Sequence, residues 1–176
     1  MTTLILDIET DNLPPMVGKV WVVCTKVVDT QEERSFKCAQ TFKQYLRGVQ
    51  PDYVVGHNHL GFDMPTLGKL WGVNYSVGRQ DILLSKPCEF IDTKQLSQFL
   101  NPDRDCGHSL EDWGLYLGFH KTNYRAELIK MGVPDPTTPK GYEFSFYHPL
   151  MDDYCAQDVR VTEKVLVKLL LEAKEY

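Results

Sequence analysis

The sequence predicts an α/β domain built on a mixed sheet. Three observations lead there. Short apolar runs separated by polar, turn-like stretches fill the first forty or so residues, as strands do. A further apolar run, Tyr53–Asn58, is followed by segments of helical periodicity. The chain then closes on a long stretch whose apolar residues recur at spacings of three and four. Strands, a helix, another strand and then helices is the order expected of a mixed sheet with helices against it. Fold class alone says nothing about chemistry.

Taken in order, Thr3–Thr10 reads as a central strand, Val20–Asp29 as a second and Ser35–Gln40 as a short third. The stretch DTQEER (Asp29–Arg34) is polar and turn-like, so the three are expected to form an antiparallel meander. Thr41–Val49 reads as a short helix and Tyr53–Asn58 as a buried fourth strand. Helices are expected over Met64–Trp71, Thr93–Phe99 and Ser109–Leu117. In the last, Ser109 and Asp112 have capping-box spacing, with Asp replacing the usual Glu, and Gly118 is the stop. Pro134–Gly141, rich in proline and threonine, is expected to be the most mobile loop. A long helix runs from about Pro149 to about Lys174. There is no internal repeat and no low-complexity tract.

A chain of 176 residues, 43% hydrophobic and 24% charged, suits one globular domain over residues 1–176. The formal net charge of -5 argues against a sequence-blind DNA coat, which depends on excess Lys and Arg. It leaves room for an enzyme that meets nucleic acid through metal ions. Cys24, Cys38, Cys88, Cys106 and Cys155 are odd in number and form no CxxC, as expected of reduced thiols in a cytoplasmic protein. No signal peptide and no membrane-spanning run is expected.

Carboxylates break the apolar pattern in three places. In DIE, Asp7 and Glu9 lie two residues apart on a strand, so they share one face with Ile5, while Leu4, Leu6 and Ile8 point the other way. In GHNHLGFDMPTL (Gly56–Leu67) an apolar strand ends and an acid, Asp63, follows where α/β sheets place ligands. Asp63 also has the position of an N-cap for the helix starting at Met64. In the last helix the core-facing stripe is Met151, Tyr154, Cys155, Val159, Thr162, Val165, Leu166, Leu169 and Leu170, and Asp158 falls on it one turn after Tyr154. An acid on a core stripe needs a partner or a metal. Four buried carboxylates cannot all ionise side by side without cations. Two divalent ions would balance them, and hard oxygen ligands favour Mg²⁺ or Mn²⁺ over zinc.

These residues resemble a known family. DIET at Asp7–Thr10, Asn58 with Phe62 and Asp63, and Tyr154 with Asp158 are similar to the three exonuclease motifs of the DEDD superfamily: DxE, N-x2-3-(F/Y)-D and YxxxD. The tyrosine of the third motif marks the DEDDy branch; the histidine branch would need HxxxxD, and Asp153 stands at that position. The chain most resembles the proofreading 3′→5′ exonuclease domain of family A DNA polymerases, particularly of short-tailed phages. GHSLEDWGLYLG (Gly107–Gly118) and LMDDYCAQDVRVT (Leu150–Thr162) share in that likeness.

The resemblance implies a ribonuclease H-like fold. It implies Asp7, Glu9, Asp63 and Asp158 as ligands of two divalent ions, Mg²⁺ or Mn²⁺, and Tyr154 as the residue that holds the attacking water. It implies substrate contacts from Thr10, Leu13, Asn58 and Phe62, and DNA 3′ ends, single-stranded or frayed, as substrate. A polymerase partner is conceivable, and the expected place is the cytoplasm, that of the host cell for a phage protein. Two alternatives stay open. Ribonuclease D-type RNA 3′ exonucleases share the same motifs, and a catalytically inactive module that binds DNA ends would keep the fold.

The remaining conspicuous residues read plainly. His57 and His59 are expected in a loop near substrate, Asp92 as a helix cap, and Trp71 and Trp113 in the core. Cys106 and His108 are too isolated to form a zinc site, and no GxxxxGK[ST] phosphate loop is present.

Overall fold

The computed structural model describes residues 1–73, 87–119, 121–133 and 135–175. Strand β1 (Thr3–Thr10) lies at the centre of a sheet of order β3-β2-β1-β4-β5. Strands β2 (Val20–Val27) and β3 (Glu32–Phe36) continue from it as the expected antiparallel meander. On its other side β4 (Tyr53–Gly56) and then β5 (Glu89–Asp92) run parallel. The sheet is therefore mixed.

Alternation along β1 sorts its side chains into two layers. Leu4, Leu6 and Ile8 pack with Phe42 and Leu46 of α1 (Ala39–Val49) and with Met64 and Leu67 of α2 (Asp63–Trp71). Ile5 packs on the opposite face with Met151, Cys155 and Val159 of α6 (Leu150–Glu172), and with Leu128 of α5 (Tyr124–Lys130). Asp7 and Glu9 share the parity of Ile5, so they face α6. A third cluster joins Trp113 of α4 (Leu110–Tyr116) to Val161, Val165 and Leu169 of α6, flanked by Leu96 of α3 (Thr93–Leu100). Trp113 is fully buried and Trp71 packs against the first cluster, as expected.

Several elements differ from the sequence reading. β3 begins at Glu32 rather than Ser35 and ends at Phe36, and the turn is confined to residues 28–31. Polar residues hid the strand because it is an edge whose charges find partners: Arg34 pairs with Glu32, and Glu33 with Arg160. Gln40 belongs to α1. β5 and α5 have no counterpart in the sequence reading. The four residues EFID take strand form through parallel pairing with β4, a tertiary cause. α5 is short, and its start is set by Asn123, whose side chain accepts from the Ala126 amide. On α6, Leu170 is 46% exposed while Val161 is buried, because α4 covers the face that Val161 presents. The capping box of α4 forms as its spacing predicts, and Gly118 follows with φ 67°. Pro134 lies outside the described residues.

Candidate active site

β1 carries Asp7 and Glu9 to the edge of the gap between the sheet and α6. Glu9 is buried, and Asp7 keeps some access to solvent. The ladder between β1 and β4 ends at the Ile5–Val55 pair, which leaves backbone donors further along that edge open. Asp63 takes one of them: the Ile8 amide donates to Asp63 Oδ1 at 3.1 Å. The helix-cap reading of Asp63 is thereby corrected. The N-cap of α2 is Phe62, no side chain caps it, and Asp63 is the first helical residue with its carboxylate turned toward β1. A lost cap costs about 1 kcal/mol, less than leaving a buried amide unpaired, at about 1–3 kcal/mol.

α6 supplies Tyr154 and Asp158 one turn apart, and Asp158 is buried. Between them sits Lys121, which the sequence reading missed. Its Nζ donates to Asp158 Oδ2 at 2.7 Å and to Tyr154 Oη at 3.3 Å, and lies 4.6 Å from the centre of the Tyr154 ring. Nothing local marks it among 19 Lys and Arg residues. Only the path of the chain before α5 brings it in. Cys155 was also missed as a neighbour of the acids: its thiol donates to the Asp7 carbonyl at 3.4 Å and lies 3.5 Å from Asp7 Oδ2. One donor atom each from Asp7, Glu9 and Cys155 fall within 4.8 Å of one another.

The four acids lie close enough for their charges to act on one another. Burial, then the charges of Asp158, Asp63 and Glu9, pushes Asp7 well above the usual carboxylate range. Burial and then Asp158 do the same to Glu9. Burial lifts Asp63 to about 7, although two backbone amides favour its charge. Burial also raises Asp158, against the pull of Lys121. Burial opposes the charge on Lys121, but Asp158, Tyr154 and Asp7 more than offset it and keep the ammonium protonated. Burial and Asp158 push the Tyr154 hydroxyl up to about 12, so it stays neutral.

Among the described residues four acids face a single ammonium, an arrangement that destabilises the fold by itself and fits divalent cations. The donors match hard ions, since Asp7, Glu9, Asp63 and Asp158 offer only oxygens. Burial raises the Cys155 thiol well above its ordinary value, so it serves Asp7 as a hydrogen-bond donor.

Of the expected substrate residues, the structure gathers Thr10, Leu13 and Phe62 with Glu9 around one cavity of about 550 Å³. Leu13 is 69% exposed at its mouth, and the Thr10 hydroxyl donates to the Asn12 carbonyl at 2.7 Å. Asn58 is exposed, adopts φ 62°, and is not among the residues lining that cavity.

The loop that carries Asn58 and Phe62 and leads into Asp63 is anchored by Asp92. Its Oδ1 accepts from the amides of Asn58 at 2.9 Å and Lys94 at 3.0 Å, and its Oδ2 from that of Leu60 at 3.1 Å. Asp92 is thus the cap of α3, as expected, and also a clamp on the preceding loop. His57 and His59 lie in the loop between β4 and α2, as expected. His59 is fully buried against Gly56, where a Cβ would come within 2.5 Å of it, and its Nδ1 lies 3.6 Å from Asp92 Oδ2. His57 bridges Thr93 Oγ1 and the His108 carbonyl, both at 2.9 Å.

A mixed five-stranded sheet with helices on both faces, and acids converging at the end of its central strand, defines a ribonuclease H-like fold. The relatives are consistent with it. The chain is 30% identical to the DNA-directed DNA polymerase of Enterobacteria phage T3, over 95% of this chain and 26% of that one. It is 29% identical to the DNA-directed DNA polymerase of Escherichia phage T7 over the same shares. The chain thus spans only 26% of the length of these curated relatives. No protein-family model matches it. Among solved structures it resembles the family B DNA polymerase of the archaeon Pyrobaculum calidifontis, with TM-score 0.61 and 22% identity over 97% of this chain and 24% of that one. It also resembles Brucella melitensis NrnC, with TM-score 0.60 and 16% identity over 98% of this chain and 74% of that one. At these identities the structural likeness is one of fold. Among the described residues no helix is long and apolar enough to cross a membrane.

Proposed function

We propose that residues 1–176 form one exonuclease domain that removes nucleotides from the 3′ end of single-stranded or frayed DNA, releasing nucleoside 5′-monophosphates. The observation that carries this reading is the convergence of Asp7, Glu9, Asp63 and Asp158, from three distant segments, on one site where each carboxyl is held above its ordinary range. Its likeness to phage polymerases over 95% of the chain supports the same reading, with a DNA polymerase as the partner and the host cytoplasm as the place.

Asp7, Glu9, Asp63 and Asp158 would hold two divalent ions, Mg²⁺ or Mn²⁺, which when bound supply the positive charge that activates water and stabilises the leaving oxygen. The Tyr154 hydroxyl, neutral at physiological pH, can accept a hydrogen bond from that water and direct its lone pair at the phosphorus. Lys121 keeps Asp158 and Tyr154 in register and brings a fixed positive charge to the phosphate side. The Cys155 thiol and the Ile8 amide fix the orientations of Asp7 and Asp63, so neither carboxylate needs to search for its productive rotamer. Thr10, Leu13 and Phe62 would receive the terminal nucleotide, and Asn58 would contact it from the loop above.

The test is digestion of 3′-labelled and 5′-labelled single-stranded DNA with Mg²⁺ or Mn²⁺, beside EDTA and an Asp7→Ala/Glu9→Ala protein, with matched RNA in parallel. A metal-dependent ladder shrinking from the 3′ end, absent in the double variant and weaker on RNA, is the expected result. Faster digestion of RNA would move the substrate to the ribonuclease D type. Absence of digestion with either ion would leave an end-binding module.

A further inference from the structure

The cavity beside Glu9 has a wall that the exonuclease motifs do not include. Besides Glu9, Leu13 and Phe62 it is lined by Lys140, Tyr142 and Phe144. Residues 138–143 are held by a clamp from α5. Arg125 Nη1 donates to the Pro139 carbonyl at 3.1 Å and to Glu143 Oε2 at 2.7 Å, and its Nη2 donates to the Thr138 carbonyl. The same Glu143 oxygen accepts from the Gly141 amide at 2.8 Å, and Glu143 is only 6% exposed. One guanidinium therefore holds the end of the loop expected to be the most mobile at Thr138 and Pro139, and the residue just beyond it at Glu143.

What the clamp presents is specific. Tyr142 is 49% exposed although it is aromatic, and its ring is braced at one edge by Phe146, 6.0 Å away. Leu13, 69% exposed, lines the same cavity from the other end of the chain. Lys140 adds an ammonium to a lining whose other charged groups, among the described residues, are the acids Glu9 and Asp11. Exposed apolar side chains converging on one cavity mark a ligand with an apolar face, and Lys140, where ions neutralise Glu9, can pair with an anionic group on it. A nucleotide has both.

On the exonuclease reading, we infer that Tyr142 and Lys140 form a nucleotide-binding wall: the Tyr142 ring stacks on the base at the 3′ end, with Leu13 against the same base, and the Lys140 ammonium pairs with a phosphate. Arg125 is a positioning residue that holds this wall through Glu143 and touches no nucleotide. Stacking accepts any base, because every base has a π-face. The site therefore selects an unpaired terminal base without reading its identity, and an abasic end loses the contact.

The test compares 5′-fluorescein single-stranded oligonucleotides ending in a normal or an abasic 3′ residue, digested with Mn²⁺ by wild type and variants. Tyr142→Ala is expected to raise KM for the normal end about tenfold, within the range of one base stack, and to leave the abasic end unchanged. Tyr142→Phe should match wild type. Lys140→Ala should raise KM for both ends, and Arg125→Ala, which frees Tyr142 and Lys140 together, should raise KM for both ends and more for the normal one. A structural role alone would shift both ends together for Tyr142→Ala. That result, or an unchanged KM for the normal end, overturns the inference while leaving the exonuclease reading intact. Anisotropy of the same oligonucleotides in EDTA separates the opposite case. If wild type digests nothing yet binds, and Tyr142→Ala weakens binding of the normal end alone, the wall stands and the exonuclease reading falls. If wild type neither digests nor binds, both fall.

Discussion

The Ile8 amide donates to Asp63 Oδ1 at 3.1 Å, a bond between residues 55 positions apart that ties the start of α2 to the central strand. It places the acid of the second motif beside those of the first. Because the bond needs only an acceptor oxygen, Asp63→Asn can retain it while losing the charge. Asp63→Asn is expected to fold with little change in Tm and to lose on the order of 10²-fold or more in kcat. Asp63→Ala strands a buried amide and should also lose about 1–3 kcal/mol of stability. Urea unfolding beside single-turnover digestion distinguishes the two effects.

Asp7 is the most crowded of the acids, with Asp158, Asp63 and Glu9 all raising it after burial does. Removing one charge from such a cluster relieves repulsion that metal ions otherwise neutralise. Without metal, Asp7→Asn should be more stable than wild type by about 0.5–2 kcal/mol. Mn²⁺ should raise the Tm of wild type and leave that of the variant nearly unmoved. Thermal scans in EDTA and in Mn²⁺ check both halves. A wild-type Tm indifferent to Mn²⁺ and Mg²⁺ would contradict the metal assignment.

Among the described residues, Lys121 is the ammonium bonded to both Tyr154 and Asp158. Lys121→Ala should lower kcat on the order of 10²-fold while leaving KM for DNA within a few-fold. In EDTA it should also destabilise the protein, because Asp158 loses its counter-charge. Steady-state digestion together with denaturant unfolding reads the two consequences separately.

Asp92 contributes a pH dependence of its own at the acid end. Burial opposes its charge, but His59 beside it and the Leu60 and Asn58 amides hold it down at about 2. A depressed carboxyl contributes stability that is present above its unfolded pKa, near 4, and lost as pH falls toward 2. Asp92→Asn should therefore be less stable than wild type at pH 7, by about 1–2 kcal/mol, and the gap should narrow between pH 4 and pH 2. Urea midpoints across that range test the sign. A gap that widens on acidification would refute it.

Much of the site was legible because burial and charge conflict openly in the sequence. Asp7 and Glu9 interrupt an apolar strand, and Asp158 interrupts an apolar helical stripe; period two and period 3.6 then say which way each points. The parity of β1 and the one-turn spacing of Tyr154 and Asp158 hold in the structure. Less legible were elements whose cause lies elsewhere in the fold. β5 is four residues that become a strand because β4 offers an edge, and β3 is polar because its charges pair with α6 and within the strand.

The sequence by itself determined the mixed α/β class, the acids and their faces, since these follow from periodicities carried by each segment alone. Tertiary structure decided what surrounds them: Lys121 between Tyr154 and Asp158, Cys155 on Asp7, Asp63 turned from its own helix toward Ile8, and Arg125 gripping the wall of the cavity. Each of these is a contact between segments remote in sequence, made by a single side chain that no local period marks. Such contacts exist only once packing has brought the segments together, so no reading of one segment at a time contains them.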